Sequence, residues 1–310
     1  MKQCLYCYLP LAEIEGEFHP KCCKKIFGQT SVPELPCHEN TLIQLANQES
    51  DNQLKIYFNL VARESLSKVK KFEITGEEGE YVLKLPSIEA KFFPQIEDLS
   101  MHLASIAGIN VVPHCLMRLS SGNLVSLSKR SEIVKNEKIY FKDLCQLLSL
   151  TNDEKYDGSY ESIISFIQKH SINPGLDTVN FFEILLFSFL IGNTDMHLRK
   201  FSFIYHKDNG SMLAPFYDLS TNAFDHSIEN IDFALNFNNK KKNIHLGDFA
   251  AVATAAKLSL KQQENILNKM KEAKSHWFEF IDISFLSQEL KESYKKLITS
   301  RFLRLTKLKS

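Results

Sequence analysis

Hydrophobic and polar positions alternate with period two over much of the first 130 residues and with helical spacing over most of the rest. Leu54 to Leu60 alternates and predicts a strand. Phe72-Glu73-Ile74 and Tyr81 to Leu85 predict two more, flanking a turn at Gly76-Glu77-Glu78-Gly79. Val111 to Leu119 and Asn123 to Leu127 predict a further pair around Ser120-Ser121-Gly122. Two helices interrupt this region. Asn40 to Gln53 is polar, and Pro94 to Ala107 repeats apolar residues at Ile96, Leu99, Leu103 and Ile106. From Phe141 onward helices dominate. The run Phe181 to Ile191 is apolar on all sides and predicts a buried helix. It is followed by an alternating segment, Phe201 to Tyr205, and by a second strand-forming run, Met212 to Phe216. Asp208-Asn209-Gly210 between them supplies the positive φ angles of a tight hairpin. Phe249 to Ala256, Gln262 to Met270 and Leu290 to Leu305 predict the last helices, and Trp277 to Ile281 reads as core. No internal repeat is present. The expected organisation is α+β: a Cys-rich segment over 1–36, a sheet-rich part over 37–130, and a mainly helical part over 131–310 that carries the hairpin.

Composition narrows the function classes. Lys and Arg number 37 and so do Asp and Glu, leaving no formal net charge and no electrostatic argument for direct nucleic-acid binding. The basic runs Lys68 to Lys71 and Lys240-Lys241-Lys242 read as solvated. The Phe181 to Ile191 run is too short for a membrane span and contains Glu183. Met1-Lys2 leads into a Cys-rich stretch without the apolar core of a signal peptide, so a cytoplasmic location is expected. Seven cysteines in a reducing compartment suit free or metal-bound thiols better than disulfides. Cys4-Leu5-Tyr6-Cys7 and His19-Pro20-Lys21-Cys22 have zinc-ligand spacing. Cys4, Cys7, His19 and Cys22 would form a closed Cys₃His structural Zn²⁺ site, a zinc knuckle, with Cys23 as an alternative fourth ligand. Reduced thiols packed without metal are the competing reading. Cys37, Cys115 and Cys145 lack any partner pattern and read as small buried hydrophobes.

The strongest chemical signal is Gly192-Asn193-Thr194-Asp195-Met196-His197, where a buried helix delivers an Asp and a His into a tight loop. Ala214-Pro215-Phe216-Tyr217-Asp218 ends the hairpin with a second carboxylate. Two Asp residues arranged this way suit phosphoryl transfer: one takes the acceptor's hydroxyl proton and the other holds Mg²⁺ against phosphates. A solitary Asp before a strand would otherwise read as a turn residue. Lys84 stands in an otherwise apolar strand and must reach a counter-charge or the surface.

These motifs, with Tyr81-Val82-Leu83-Lys84 and Lys155-Tyr156-Asp157-Gly158-Ser159-Tyr160-Glu161, resemble the HipA-like toxin kinases of bacterial toxin–antitoxin modules. The resemblance runs from about Tyr81 to the C-terminus. It is closest to the short, HipT-like form, which lacks the N-terminal subdomain of full-length HipA; in such systems that piece can be a separate small protein. The resemblance implies a two-lobed protein-kinase-like fold, with a small sheet-rich N-lobe, a mainly helical C-lobe and a boundary near Ser128 to Lys135. It implies an ATP- and Mg²⁺-dependent kinase acting on a protein Ser or Thr. Asp195 would be the general base, Asp218 the Mg²⁺ ligand, and His197 a brace for the loop. Lys84 would hold the α- and β-phosphates and pair with Glu97, with Glu89 and Asp98 as alternatives. It further implies a helix-turn-helix DNA-binding antitoxin as partner and, as in some members, an aminoacyl-tRNA synthetase as substrate.

Two positions depart from the family pattern. Five residues after Asp195 the family usually has a metal-binding Asn; here it is Lys200, whose ammonium has no lone pair to ligate a metal. Either Lys200 supplies the missing positive charge to the ATP site, beside one metal rather than two, or metal binding is impaired. The phosphate loop, commonly Ser-x-x-Gly-x-Gln-x-Lys, is matched here by Ser65-Leu66-Ser67-Lys68-Val69-Lys70-Lys71. Without Gly, the backbone amides approach phosphate less easily, and Lys68 and Lys70 would compensate as point charges. Ser65 or Ser67 are the autophosphorylation candidates. The expected Asp after Arg130 is also absent. The departures keep a second reading open, a degenerate kinase acting through protein–protein contacts with an antitoxin or another partner.

Overall fold

The computed structural model describes residues 2–12, 16–35, 37–46, 55–62, 70–75, 79–86, 92–130, 133–134, 137–138, 140–206, 210–221 and 231–306. The chain divides into two compact units: Met1–Leu99 with Val112–Ile133 and Ile283–Leu286, and Ser100–Val111 with Val134–Asp282 and Ser287–Ser310.

In the first unit, α1 (Pro20–Phe27) and α2 (Glu39–Ala46) precede β1 (Lys55–Ala62), β2 (Lys70–Thr75) and β3 (Tyr81–Lys84). These are followed by α3 (Phe93–Ile106), β4 (His114–Arg118) and β5 (Leu124–Lys129). The strands form an antiparallel sheet of order β2-β1-β3-β5-β4. The period of two is visible in β1, where Ile56 and Phe58 are buried while Tyr57 and Asn59 are not fully so. Phe27, Phe58, Phe72 and Tyr81 form a ring cluster at 5.5–5.9 Å centroid separations, and the Tyr81 hydroxyl donates to the Ile26 carbonyl at 2.9 Å. The Cys-rich segment therefore packs on the sheet through α1, whose first residue, Pro20, suits the N1 position. The fourth strand is shorter than the spacing predicts because Pro113 cannot donate to a ladder; Val111 before it bridges Phe216 instead.

The second unit begins with the C-terminal half of α3. After the two-residue strands β6 (Ile133–Val134) and β7 (Glu137–Lys138) come β8 (Tyr140–Asp143), α4 (Leu144–Leu147), α5 (Tyr160–His170) and α6 (Pro174–Ile191). Then follow β9 (Ser202–His206), β10 (Gly210–Leu213), α7 (Leu246–Ala255), α8 (Leu260–Asp282) and α9 (Gln288–Thr306). The predicted hairpin is present, with Gly210 opposite His206; turn residues 207–209 lie outside the described residues. It gains a third strand that the pattern did not predict, β8, giving the order β10-β9-β8.

Helix α6 is the core of this unit. It extends seven residues N-terminal to the apolar run, starting at Pro174, and reaches 18 residues. That length and apolarity would suffice to cross a membrane, but 72% of it is buried inside the protein, packed on α5, α8 and α9. Aromatic rings surround it: its own Phe181 meets Phe201 at a tilt, and Tyr160, Phe201, Phe233, Phe237 and Phe249 pack edge to face or tilted. Helix α8 is far longer than predicted. No Gly or Pro ends it after Met270, and the buried stripe Ile266, Met270, Ala273, Trp277 and Ile281 continues at helical spacing.

Candidate functional site

The site residues of the second unit lie where α6 ends. Gly192 takes a left-handed φ of +73° and its amide bonds back into the helix, the usual way a helix stops. The chain leaves as an extended loop. The Asn193 side-chain oxygen accepts from the Asp195 amide at 3.2 Å, an Asx turn that sets the carboxylate's direction. Buried Tyr160 donates to the Met196 carbonyl at 2.9 Å, tying the loop to α5. A 3₁₀ turn over Leu198–Lys200 leads into β9. Asp218 follows the hairpin and itself has φ +56°, a conformation that Asp tolerates better than most residues. Tyr217 before it donates to the Arg199 carbonyl at 3.0 Å and meets the Ser202 hydroxyl at 2.7 Å, clamping both arms of the loop.

This geometry brings Asp195, Asp218, Lys200 and His197 together. Lys200 is buried and donates to the Asp218 Oδ2 atom; its ammonium is also 3.6 Å from Asp195 Oδ2. The Asp195 side chain is 32% exposed, so an acceptor from solvent can reach it. His197 Nε2 lies 3.8 Å from Asp195, beyond hydrogen-bonding distance. Burial, assisted by the charge of Lys200, pushes the His197 pKa down to about 4, so its ring is neutral at pH 7. Its Nδ1 and the Asn193 side-chain nitrogen are buried and find no hydrogen-bond partner among the described residues.

Tyr156 completes the cluster, and the sequence reading assigned it no role. Its hydroxyl donates to Asp195 Oδ1 at 3.0 Å and its ring meets His197 edge-on at 5.1 Å. Burial first, then the Asp195 charge, raises its pKa to about 12, so it remains a donor. The available signal was its place in the Lys155 to Glu161 segment.

In the first unit, Lys84 Nζ meets Glu97 Oε1 at 2.5 Å, with both side chains buried. The second Glu97 oxygen accepts from Ser126 at 2.9 Å, and Ser126 stands opposite Lys84 in the β3–β5 register. Of the alternative partners, Asp98 turns to Tyr8 and His114, at 2.6 and 2.7 Å, and Glu89 lies outside the described residues. So do Ser65, Ser67 and Lys68; Lys70 is the first residue of β2. Cys4, Cys7, His19 and Cys22 converge, with their ligand atoms all within 4.8 Å of one another.

The donor set suits one hard divalent cation. Mg²⁺ takes oxygen ligands and commonly uses one or two carboxylates plus substrate phosphates. Asp195 and Asp218 set two carboxylates against the one ammonium of Lys200, beside a neutral His197. Lys200 itself offers no ligand.

Comparison with known proteins gives the family and the fold. Residues 53–277, more than half of the chain, match the HipA-like C-terminal domain. "Putative kinase Y4dM" of Sinorhizobium fredii (strain NBRC 101917 / NGR234) is 31% identical over 203 residues, 61% of this chain and 48% of that protein. A "Putative kinase" of Haemophilus influenzae is 26% identical over 198 residues, 60% of this chain and 57% of that protein. The chain thus spans about half the length of these curated relatives. Among solved structures, the Shewanella oneidensis MR-1 toxin–antitoxin complex of HipA, HipB and operator DNA contains a chain that aligns with TM-score 0.68 at 18% identity, covering 83% of this chain and 64% of that one. The Helicobacter pylori proinflammatory kinase CtkA aligns with TM-score 0.54 at 17% identity, covering 81% and 93%. At such identities the likeness is one of fold, the two-lobed protein-kinase-like α+β fold. The chain belongs to the family of HipA-like C-terminal domains.

Proposed function

We propose that the protein is an ATP-dependent serine/threonine protein kinase of a HipA-type toxin–antitoxin system. The observation that carries this reading is the convergence of Asp195 and Asp218 on one buried ammonium, with Tyr156 orienting the more exposed carboxylate. Relatives named as kinases support it.

Asp195 accepts the proton of the acceptor hydroxyl, and the hydrogen bond from Tyr156 and the Asx turn at Asn193 hold it in one direction. Asp218 would hold a single Mg²⁺, which when bound places positive charge against phosphate oxygens. Lys200 neutralises part of the carboxylate charge where the family usually carries a second metal ligand. Lys84, fixed by Glu97, contacts the α- and β-phosphates. His197 stays neutral and braces the loop against Tyr156. Catalysis on this reading is positioning plus charge neutralisation.

A helix-turn-helix DNA-binding antitoxin is the proposed partner, in keeping with the Shewanella complex, whose title includes HipB and operator DNA. The proposed substrate is a protein, with an aminoacyl-tRNA synthetase as the class to try first, and a separate small HipA N-terminal-like subunit is a further partner to seek. A cytoplasmic location belongs to this reading and is supported by seven free thiols. One observation favours the second reading, a degenerate kinase working through protein contacts: Lys200 already holds the carboxylate that a metal needs.

Incubation with γ-labelled ATP, Mg²⁺ and a lysate depleted of nucleotide separates the two. The kinase reading expects labelled protein and ADP, with Asp195→Asn lowering the rate by about 10²–10⁴. Nucleotide binding without any transfer would leave the degenerate reading. No nucleotide binding at all would overturn the kinase reading.

A further inference from the structure

The N-terminal cysteines play no part in phosphoryl transfer, yet they are built into the first unit with more order than stray thiols require. Cys4 and Cys7 flank a tight turn closed by the Tyr8 amide on the Cys4 carbonyl at 2.9 Å. Cys22 lies in the first turn of α1, and His19 immediately precedes that helix. The spacing is two residues within each pair.

The distances fit a tetrahedral ion. Zinc bonds of about 2.3 Å to sulfur and 2.0–2.1 Å to nitrogen imply ligand separations of about 3.6–3.8 Å. His19 Nδ1 lies 3.4 Å from the Cys7 sulfur and 3.9 Å from the Cys22 sulfur. The Cys4 sulfur accepts from the His19 amide at 3.5 Å, the kind of contact that steadies a thiolate. The tautomer is set independently. His19 Nε2 lies 3.0 Å from the Pro10 carbonyl, and a carbonyl only accepts. Nε2 must therefore carry the hydrogen, which leaves the lone pair of a neutral ring on Nδ1, aimed at the sulfurs. Metal-bound histidines are typically oriented in this way by an outer partner. Cys4 is buried while Cys7 and His19 are partly exposed, which gives an ion a way in.

We propose that Cys4, Cys7, His19 and Cys22 bind one zinc ion as a closed structural centre, and that this centre steadies the helix carrying Glu97. The second part follows from the next residue along the chain. Tyr8 has φ +62°, a left-handed conformation that a bulky residue holds only when its surroundings impose it. Its buried hydroxyl donates to Asp98 at 2.6 Å. Asp98 also holds His114, and the residue before it, Glu97, holds Lys84. The Cys4–Cys7 turn is further joined to β4, since the Leu116 amide donates to the Leu5 carbonyl at 2.9 Å. Four protein ligands leave no open position, so the ion does no chemistry. Its contribution is to order a short segment that would otherwise lose much of its packing on the sheet.

The test uses tag-free, full-length, reduced protein purified without chelator. Metal analysis should find one zinc per chain. Replacement by Co²⁺ should give the intense thiolate-to-cobalt charge-transfer absorption of a tetrahedral sulfur site. Cys7→Ser and Cys22→Ser should lose the metal, whereas Cys23→Ser should keep it. Stripping zinc from the wild-type protein should lower its melting temperature, and Tyr8→Phe should bind zinc normally but melt earlier than wild type. Absence of zinc together with no cobalt charge-transfer band on titrating the reduced wild-type protein would overturn the proposal, whatever the variants do. Zinc kept by Cys22→Ser and lost by Cys23→Ser would overturn this ligand set.

Discussion

Two lysines in the same chain meet carboxylates in different ways. Lys84 meets one carboxylate, Glu97, whose other oxygen is capped by Ser126, so the group closes at zero net charge. Lys200 is shared between two carboxylates, Asp195 and Asp218. The first arrangement is buried on both sides, while the second keeps one carboxylate partly exposed. The partial exposure of Asp195 fits that difference, because a group meant to meet a substrate cannot be sealed.

Breaking the closed pair should have the largest effect. Lys84→Met leaves Glu97 buried without its cation and should cost about 3–5 kcal/mol of stability in urea unfolding. Adding Glu97→Leu should recover at least half of that. If the single change costs as little as a surface pair, the contrast with Lys200 fails. Next comes pH. His197 titrates near 6.5 when unfolded and near 4 when folded, so the unfolded chain binds the extra proton between these values. Stability should therefore be present above about pH 6.5 and lost as pH falls toward 4. The loss amounts to about 2–3 kcal/mol, read as the difference between wild type and His197→Gln at each pH. Lys200→Asn should cost about 1–2 kcal/mol and, unlike Lys84→Met, should be repaired by millimolar Mg²⁺; repair of both variants, or of neither, would erase the distinction. Smallest is Tyr156→Phe, which removes one hydrogen bond to Asp195. It should lower kcat/KM by about fivefold, equivalent to about 1 kcal/mol, with unfolding unchanged within a few tenths.

What the sequence revealed follows how local the physics is. Helix α6 and the hairpin after it were legible because a mostly apolar run, Gly192 and Asp208-Asn209-Gly210 encode them within a short stretch. Lys84 was legible as an anomaly, a cation in an apolar strand. Its partner Glu97 was named first through the family resemblance, with Glu89 and Asp98 left open, because the choice depends on which face of α3 meets β3 and β5. Tyr156 was hidden for a similar reason. It lies 39 residues from Asp195, and only the packing of the intervening helices brings them together. Strand β8 and the full length of α8 were missed because their deciding contacts are tertiary. The Asn-to-Lys departure at Lys200 was visible from the motif, but its bond to Asp218 needed the hairpin's geometry.

The most direct test of the central claim, that Asp218 and Lys200 make a one-metal nucleotide site, is calorimetric titration of ATP over a range of Mg²⁺ concentrations, for wild type and Asp218→Ala. The account predicts binding that depends on a single Mg²⁺ and disappears in Asp218→Ala. A requirement for two Mg²⁺, or binding that Asp218→Ala leaves intact, would contradict it.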